Sequence, residues 1–122
     1  MLASSKPQVA VITGASAGLG FRIAAAFLEC GYAIAIVGRD ATRLEAAKQQ
    51  SQDQYETSGI DTAGRIEAYV ADVSRLQDVH SVFAGVQQDL HRLDVLVNCV
   101  GQSDRGLVKD LTADRLEELL DQ

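Results

Sequence analysis

Short apolar runs alternate along this chain with longer stretches in which apolar residues recur at helical spacing. The runs cover residues 8–13, 33–37, 65–71 and 94–98, and the second is apolar throughout. A run without polar alternation is typical of a parallel strand that is covered on both faces. The pattern therefore predicts strands joined by helices, at the spacing of about 30 residues that is typical of βαβ units.

The intervening stretches predict four helices. The first two cover residues 18–29 and 41–56, and a last one is expected after Thr112, beyond a loop over residues 101–111. The third is indicated by apolar residues at helical spacing: Leu76, Val79, Val82, Phe83, Val86 and Leu90. Because crossovers between parallel strands are right-handed, we expect a Rossmann-like, doubly wound α/β sheet, truncated to about four strands in the order 3-2-1-4.

Residues suited to capping lie at the ends of the predicted helices. Asp40 and Ser74 are the expected N-caps of the second and third helices, since their side-chain oxygens can accept from the first free N–H groups. Gly31 suits the left-handed position after the first helix. The side chains of the second helix that we expect to face inward are those of Leu44, Ala46 and Ala47.

Length and charge limit the classes of protein to consider. The 122 residues are enough for one domain, here taken as residues 1–122. The net charge of −6 argues against non-specific binding of nucleic acid, which needs a basic surface. No apolar run is long enough to span a bilayer, and residues 1–8 lack a hydrophobic signal region, so the expectation is a cytoplasmic protein without a membrane partner.

The two cysteines, Cys30 and Cys99, indicate neither a disulfide framework nor a metal site. We expect Cys30 to be a small core residue near the end of the first helix. For Cys99, a reactive thiol is an open alternative to a structural role.

The segment Thr13-Gly14-Ala15-Ser16-Ala17-Gly18-Leu19-Gly20 connects the first strand to the first helix. Gly14 allows a tight turn, Gly18 removes a Cβ where a phosphate approaches the backbone, and Gly20 allows the helix to pack closely on the strand. The N-terminus of the helix then presents free N–H groups and a positive dipole end to a pyrophosphate. A glycine-rich turn without a ligand is the alternative interpretation.

The spacing of this segment is T-G-x-x-x-G-x-G, with a leading threonine, whereas the common dinucleotide fingerprint is G-x-G-x-x-G. It resembles the glycine motif of the short-chain dehydrogenase/reductase family. The resemblance implies a nicotinamide dinucleotide cofactor. The residues expected on its pyrophosphate side are Gly14, Ser16, Gly18, Leu19 and Gly20.

The end of the second strand discriminates between the two nicotinamide cofactors. Sites for NAD usually carry an acidic residue there, which binds the ribose hydroxyls and repels a 2′-phosphate. This chain has Gly38 followed by Arg39, so there is room for the phosphate and a guanidinium to bind it. We therefore predict NADP(H) in preference to NAD(H). The alternatives are an exposed loop arginine at Arg39 and a ribose contact from Asp40.

Two later segments also match the family and imply contacts to the adenosine. Asp72-Val73 follows the third strand, where the family's acidic residue binds the adenine amino group. Asp72 as the cap of the next helix or turn is the alternative. The residues Asn98-Cys99-Val100-Gly101 match the family's N-N-A-G segment only at Asn98 and Gly101, which are expected to line the adenosine side.

The family's catalytic tyrosine is followed four residues later by lysine, and no such pair occurs here. Tyr32, Tyr55 and Tyr69 are followed at that offset by isoleucine, glycine and valine. No catalytic residue is therefore assigned, and no metal ligand. The resemblance spans the family's cofactor-binding half, so the chain is expected to lack the catalytic half.

The first functional hypothesis is an NADP(H)-dependent oxidoreductase that acts on a carbonyl or alcohol group of a small molecule. The family resemblance also implies self-association into a homo-oligomer. The second hypothesis is a catalytically silent module that binds a nucleotide or a protein partner. A Rossmann-type methyltransferase is a third option, which the leading Thr13, Arg39 and the Asn98 segment fit less well.

Overall fold

The computed structural model describes residues 7–59, 62 and 65–99 of the chain. Four strands and three helices alternate in this part: β1 Val9–Thr13, α1 Gly18–Glu29, β2 Ala33–Gly38, α2 Ala41–Thr57, β3 Ile66–Val70, α3 Leu76–Leu90 and β4 Val95–Asn98. The predicted strands, α1 and α2 are confirmed, with bounds that shift by one residue at most at either end. The expected loop over residues 101–111 and the last helix lie outside the described residues.

The four strands form one parallel sheet in the order β3-β2-β1-β4, as the sequence predicts. Thr13, the last residue of β1, pairs with Val37 near the end of β2 and with Asn98 at the end of β4. The carboxyl ends of the three strands therefore meet at one edge. In a doubly wound sheet, this edge is where ligands bind.

The central strands are buried on both faces because helices cover both sides of the sheet. Side chains along β1 alternate between two apolar clusters, as the period of a strand requires. Ala10 and Ile12 pack with Leu28 of α1 and Leu44 of α2. The opposite cluster contains Val9, Val11, Ala33, Ala35, Val37, Ala71, Val82, Val86, Leu90 and Leu96. Burial on both faces explains why β1 and β2 read as continuous apolar runs.

The predicted caps are confirmed at two of three positions. The Asp40 carboxylate accepts a hydrogen bond of 3.0 Å from the N–H of Arg43, and Gly31 has a left-handed φ of 93°. The prediction for Ser74 is wrong: α3 begins at Leu76, with Arg75 as its N-cap. The Ser74 hydroxyl donates instead to the carboxylate of Asp72, within the turn that precedes the helix.

Two expectations about burial are also wrong. Ala46 is exposed, while Leu44 and Ala47 are buried as predicted. Cys30 is exposed rather than a core residue, because it follows the last turn of α1 as its C-cap.

Among the described residues, no helix has the length and apolar character needed to cross a membrane.

Candidate functional site

An open cleft of about 1250 Å³ lies at the carboxyl edge of the sheet. Its wall is built from the residues that follow the four strands, so positions far apart in sequence meet there. The described residues that line it are Gly14, Ser16, Ala17, Val37, Gly38, Arg39, Asp40, Arg43, Ala71, Asp72, Val73, Ser74, Asn98 and Cys99. The cleft therefore collects six of the predicted site residues: Gly14, Ser16, Arg39, Asp72, Val73 and Asn98.

The glycine turn between β1 and α1 has the backbone that its sequence predicts. Gly14 and Gly18 have φ values of 64° and 61°, a region that L side chains rarely adopt. A Cβ added at Gly20 would overlap the carbonyl oxygen of Gly14 and lie 3.1 Å from the Cα of Ala15. Gly20 is buried behind the turn and permits the close packing of α1, whereas Gly18 and Leu19 are exposed at the start of the helix.

The N-terminus of α1 is left without a cap of its own. Its N-cap residue, Ala17, has no side chain that could accept a hydrogen bond, and the first turn holds no acidic residue. The first N–H groups and the positive end of the helix dipole therefore remain available to an anion. A Cβ added at Gly18 would meet no heavy atom within 4 Å. This arrangement fits the pyrophosphate of a dinucleotide.

The end of β2 leaves space beside two basic side chains. Gly38 is buried, and a Cβ there would lie 3.4 Å from Leu44 and 3.8 Å from the hydroxyl of Ser16. Arg39 follows as an exposed residue, and Arg43 lines the same cleft from the first turn of α2. Arg43 was not predicted as a lining residue, because a charged side chain in the first turn of a helix is typical of a solvated surface.

The turn after β3 holds Asp72 in a defined orientation. Its Oδ1 accepts hydrogen bonds of 3.0 Å from the N–H of Ser74 and 2.6 Å from the Ser74 hydroxyl. These bonds, together with the charges of Arg39 and Arg75, lower the pKa of the Asp72 carboxyl below its ordinary value. One oxygen of Asp72, Oδ1, therefore caps the turn, as the alternative interpretation of this residue expected. The carboxylate stays ionised at the wall of the cleft.

The ends of β1 and β4 are joined by the side chain of Thr13. Its hydroxyl donates to the side-chain oxygen of Asn98 at 2.6 Å and accepts from the N–H of Cys99 at 3.1 Å. Thr13 was predicted only as the leading residue of the glycine motif, without a contact of its own in the site. The thiol of Cys99 is buried, and burial raises its pKa, which disfavours the reactive thiolate form. The predicted site residue Gly101 lies outside the described residues.

The cleft thus offers an uncapped helix N-terminus, two arginines and a fixed carboxylate at the carboxyl edge of a parallel sheet, which are the features of a dinucleotide-binding α/β protein. Over the described part of the chain, no group of three or more His, Cys, Asp or Glu side chains could hold a metal ion. Residues 8–122 match the family model described as short chain dehydrogenase. The chain belongs to this family, whose members are oxidoreductases that bind a nicotinamide dinucleotide.

Comparison with individual proteins agrees with the family. An uncharacterized oxidoreductase of Staphylococcus epidermidis is 29% identical over 120 residues, which are 98% of this chain and 47% of that protein. The chain therefore spans about half the length of this relative. L-sorbose reductase from Gluconobacter frateurii, solved with NADPH and L-sorbose, is 28% identical with a TM-score of 0.70, over 90% of this chain and 39% of that one. The C-domain of a bacterial malonyl-CoA reductase, solved with NADP, is 27% identical with a TM-score of 0.74, over 78% of this chain and 15% of that one.

Proposed function

We propose that the cleft binds NADP(H), and that residues 1–122 form the cofactor-binding part of an oxidoreductase. The reaction is hydride transfer between the nicotinamide and a carbonyl or alcohol group of a small molecule. One observation carries the choice of cofactor: the end of β2 has the glycine Gly38 and the exposed Arg39 in place of a carboxylate. Glycine leaves room for a 2′-phosphate, and a guanidinium binds phosphate through paired N–H groups.

The glycine turn holds the pyrophosphate side of the cofactor in this proposal. The N–H groups at the start of α1 have no side-chain cap and bind the anion. The first turn of the helix holds no carboxylate that would repel it. Ser16 contributes a hydroxyl close to Gly38, and therefore also close to the proposed position of the 2′-phosphate. The residues assigned to this side are Gly14, Ser16, Gly18, Leu19 and Gly20.

The adenosine lies against the turns after β3 and β4. Asp72 keeps a negative charge, so its carboxylate can accept a hydrogen bond from the adenine amino group. Val73 is half-buried and offers apolar contact to the ring. We assign Asn98 to this side as well, together with Gly101, which lies outside the described residues. The two solved relatives with NADP or NADPH support the proposed cofactor, because they share the family and this fold.

The test is a calorimetric titration of the chain with NADPH and with NADH, repeated on Arg39→Ala. We expect the unsubstituted chain to bind NADPH more tightly than NADH. The substitution should lower the affinity for NADPH about tenfold and leave the affinity for NADH nearly unchanged. Arg22→Ala is the matched control, since Arg22 is an exposed arginine on α1 and does not line the cleft. Equal affinities for the two cofactors, unaffected by the loss of Arg39, would contradict the assignment.

A second candidate is a module that binds the nucleotide without catalysing hydride transfer. The sequence favours it in one respect: none of its tyrosines is followed four residues later by lysine. The two candidates differ in an assay of NADPH oxidation with a panel of small aldehydes and ketones. Because no catalytic residue is assigned within residues 1–122, the assay is run on the protein encoded by the full reading frame: turnover supports the enzyme, and NADPH binding without turnover supports the module. Light scattering on the same sample tests the proposed homo-oligomer.

A further inference from the structure

Asp78, in the first turn of α3, reaches back across the turn after β3 to a residue that lines the cleft. Its Oδ2 accepts a hydrogen bond of 2.8 Å from the backbone N–H of Asp72, six residues earlier in the chain. Asp78 is half-buried and is not among the described residues that line the cleft. Any effect of Asp78 on a ligand must therefore act through Asp72.

Two further polar groups of Asp72 are paired within its own turn. The carbonyl oxygen accepts a hydrogen bond of 2.9 Å from the N–H of Arg75, and Oδ1 accepts from the N–H and the hydroxyl of Ser74. Among the hydrogen bonds of the described residues, none reaches the other carboxylate oxygen, Oδ2. Oδ2 is therefore the oxygen that can accept from a ligand in the cleft.

The bond to Asp78 differs in kind from the bonds inside the turn. The bonds to Ser74 and Arg75 span two or three residues, so they fix the shape of the turn rather than its position against the rest of the protein. The bond to Asp78 joins the start of the turn to α3. This helix is anchored in the core, since Val79, the residue after Asp78, is buried. The direction in which the Asp72 carboxylate points thus depends on Asp78.

We propose that Asp78 is a positioning residue for the base of the nucleotide: it holds Asp72 so that Oδ2 accepts from the adenine amino group, and it thereby makes the site prefer adenine to a base without that group. This inference rests on the proposed function, in which Asp72 contacts the adenine. It adds a residue of α3 to a site whose other assigned residues follow the strands or begin α1.

The experiment compares NADPH with its deamino analogue, in which hypoxanthine replaces adenine. The analogue has a carbonyl oxygen in place of the amino group, so it presents an acceptor instead of a donor to the carboxylate of Asp72. Calorimetry measures both affinities on the 122-residue chain and on its variants. We expect the unsubstituted chain to prefer NADPH about tenfold, and we expect Asp78→Ala to reduce this preference to about twofold or less.

Two further variants separate positioning from stability. Asp78→Asn keeps an oxygen that can accept from the N–H of Asp72, so it should restore most of the preference. Tyr69→Phe removes the hydrogen bonds of the Tyr69 hydroxyl to the carbonyl oxygen of Gly85, at 3.2 Å, and to Oδ2 of Asp89, at 2.7 Å. These bonds attach α3 to β3 away from the turn. Tyr69→Phe should therefore lower the melting temperature, measured by circular dichroism, and leave the preference for NADPH unchanged.

The outcomes separate this inference from the proposed function. If the unsubstituted chain binds neither cofactor, or binds both equally, the adenine contact of Asp72 is wrong and the role of Asp78 fails with it. If the chain prefers NADPH and Asp78→Ala keeps that preference, only the inference is overturned. Loss of the preference in Tyr69→Phe as well would mean a general effect of stability and would also overturn it. If Asp78→Ala does not fold, Asp78→Ser replaces it with the same expectation, because the shorter side chain lacks the reach to Asp72.

Discussion

The hydroxyl of Thr13 donates a hydrogen bond of 2.6 Å to the side-chain oxygen of Asn98, which fixes the ends of β1 and β4 to each other at the edge of the cleft. The same oxygen of Thr13 accepts from the buried N–H of Cys99 at 3.1 Å. One hydroxyl therefore donates to the last residue of β4 and accepts from the backbone of the residue that follows it. The strand end that the proposed site uses for adenosine depends on this contact.

Replacing Thr13 by valine should destabilise the chain, because valine keeps the shape but leaves the Cys99 N–H without its acceptor. We expect a loss of about 1–3 kcal/mol in the free energy of unfolding, measured by urea denaturation. The chain has no tryptophan, so circular dichroism is the suitable signal. Thr13→Ser retains the hydroxyl and should lose much less. Equal stabilities of the valine and serine variants would show that the hydrogen bonds contribute nothing.

The glycines of the turn should respond differently to alanine. In Gly20→Ala the new methyl group meets backbone atoms of Gly14, which cannot move without opening the turn, so we expect a loss of about 1–3 kcal/mol or more. In Gly18→Ala the methyl group has open space, and the cost is the strain of a φ of 61°, about 1 kcal/mol. Thermal melts by circular dichroism measure both. A Gly20→Ala variant as stable as Gly18→Ala would contradict the close packing of α1.

Gly38 should control which cofactor binds. In Gly38→Asp a carboxylate enters the cleft next to the proposed 2′-phosphate. Repulsion between the like charges should lower the affinity for NADPH by at least about tenfold and favour the binding of NADH. Gly38→Ala is the matched control, since its Cβ lies 3.4 Å from Leu44, an ordinary contact. Calorimetry on both variants separates charge from volume. If alanine weakens NADPH as much as aspartate does, the space at Gly38 matters and the charge does not.

The sequence predicted β1 and β2 because strands that are buried on both faces consist of continuous apolar runs. The prediction of Ser74 as a helix cap was wrong because Asp72 accepts hydrogen bonds from both the hydroxyl and the N–H of Ser74. Such a local choice between two turn geometries depends on where α3 packs, which spacing does not encode. Arg43 was missed for a related reason: a charged residue on a helix reads as solvated until the cleft beside it is known.

Asp94 links the start of β1 to the segment before β4 and should make stability depend on pH. Its carboxylate accepts two hydrogen bonds of 2.8 Å from Arg92 and one of 2.7 Å from the N–H of Val9. These contacts lower the pKa of the Asp94 carboxyl in the folded chain, and the hydrogen bonds from Arg92 contribute most. The folded form therefore favours the ionised carboxylate. Its stabilisation is fully present above the ordinary pKa and is lost as the pH falls through the lowered one.

Asp94→Asn removes the charge while an amide oxygen can still accept from the N–H of Val9. At pH 7 we expect the free energy of unfolding to fall by about 1 kcal/mol, since the carboxylate side chain is only 20% exposed. The difference from the unsubstituted chain should shrink as the pH falls from about 5 and vanish below the lowered pKa, where both side chains are neutral. Urea denaturation between pH 7 and pH 2 measures it. The control is Glu45→Gln, an exposed carboxylate of α2, and a difference for Asp94→Asn that is constant over this range would contradict the ionic contribution.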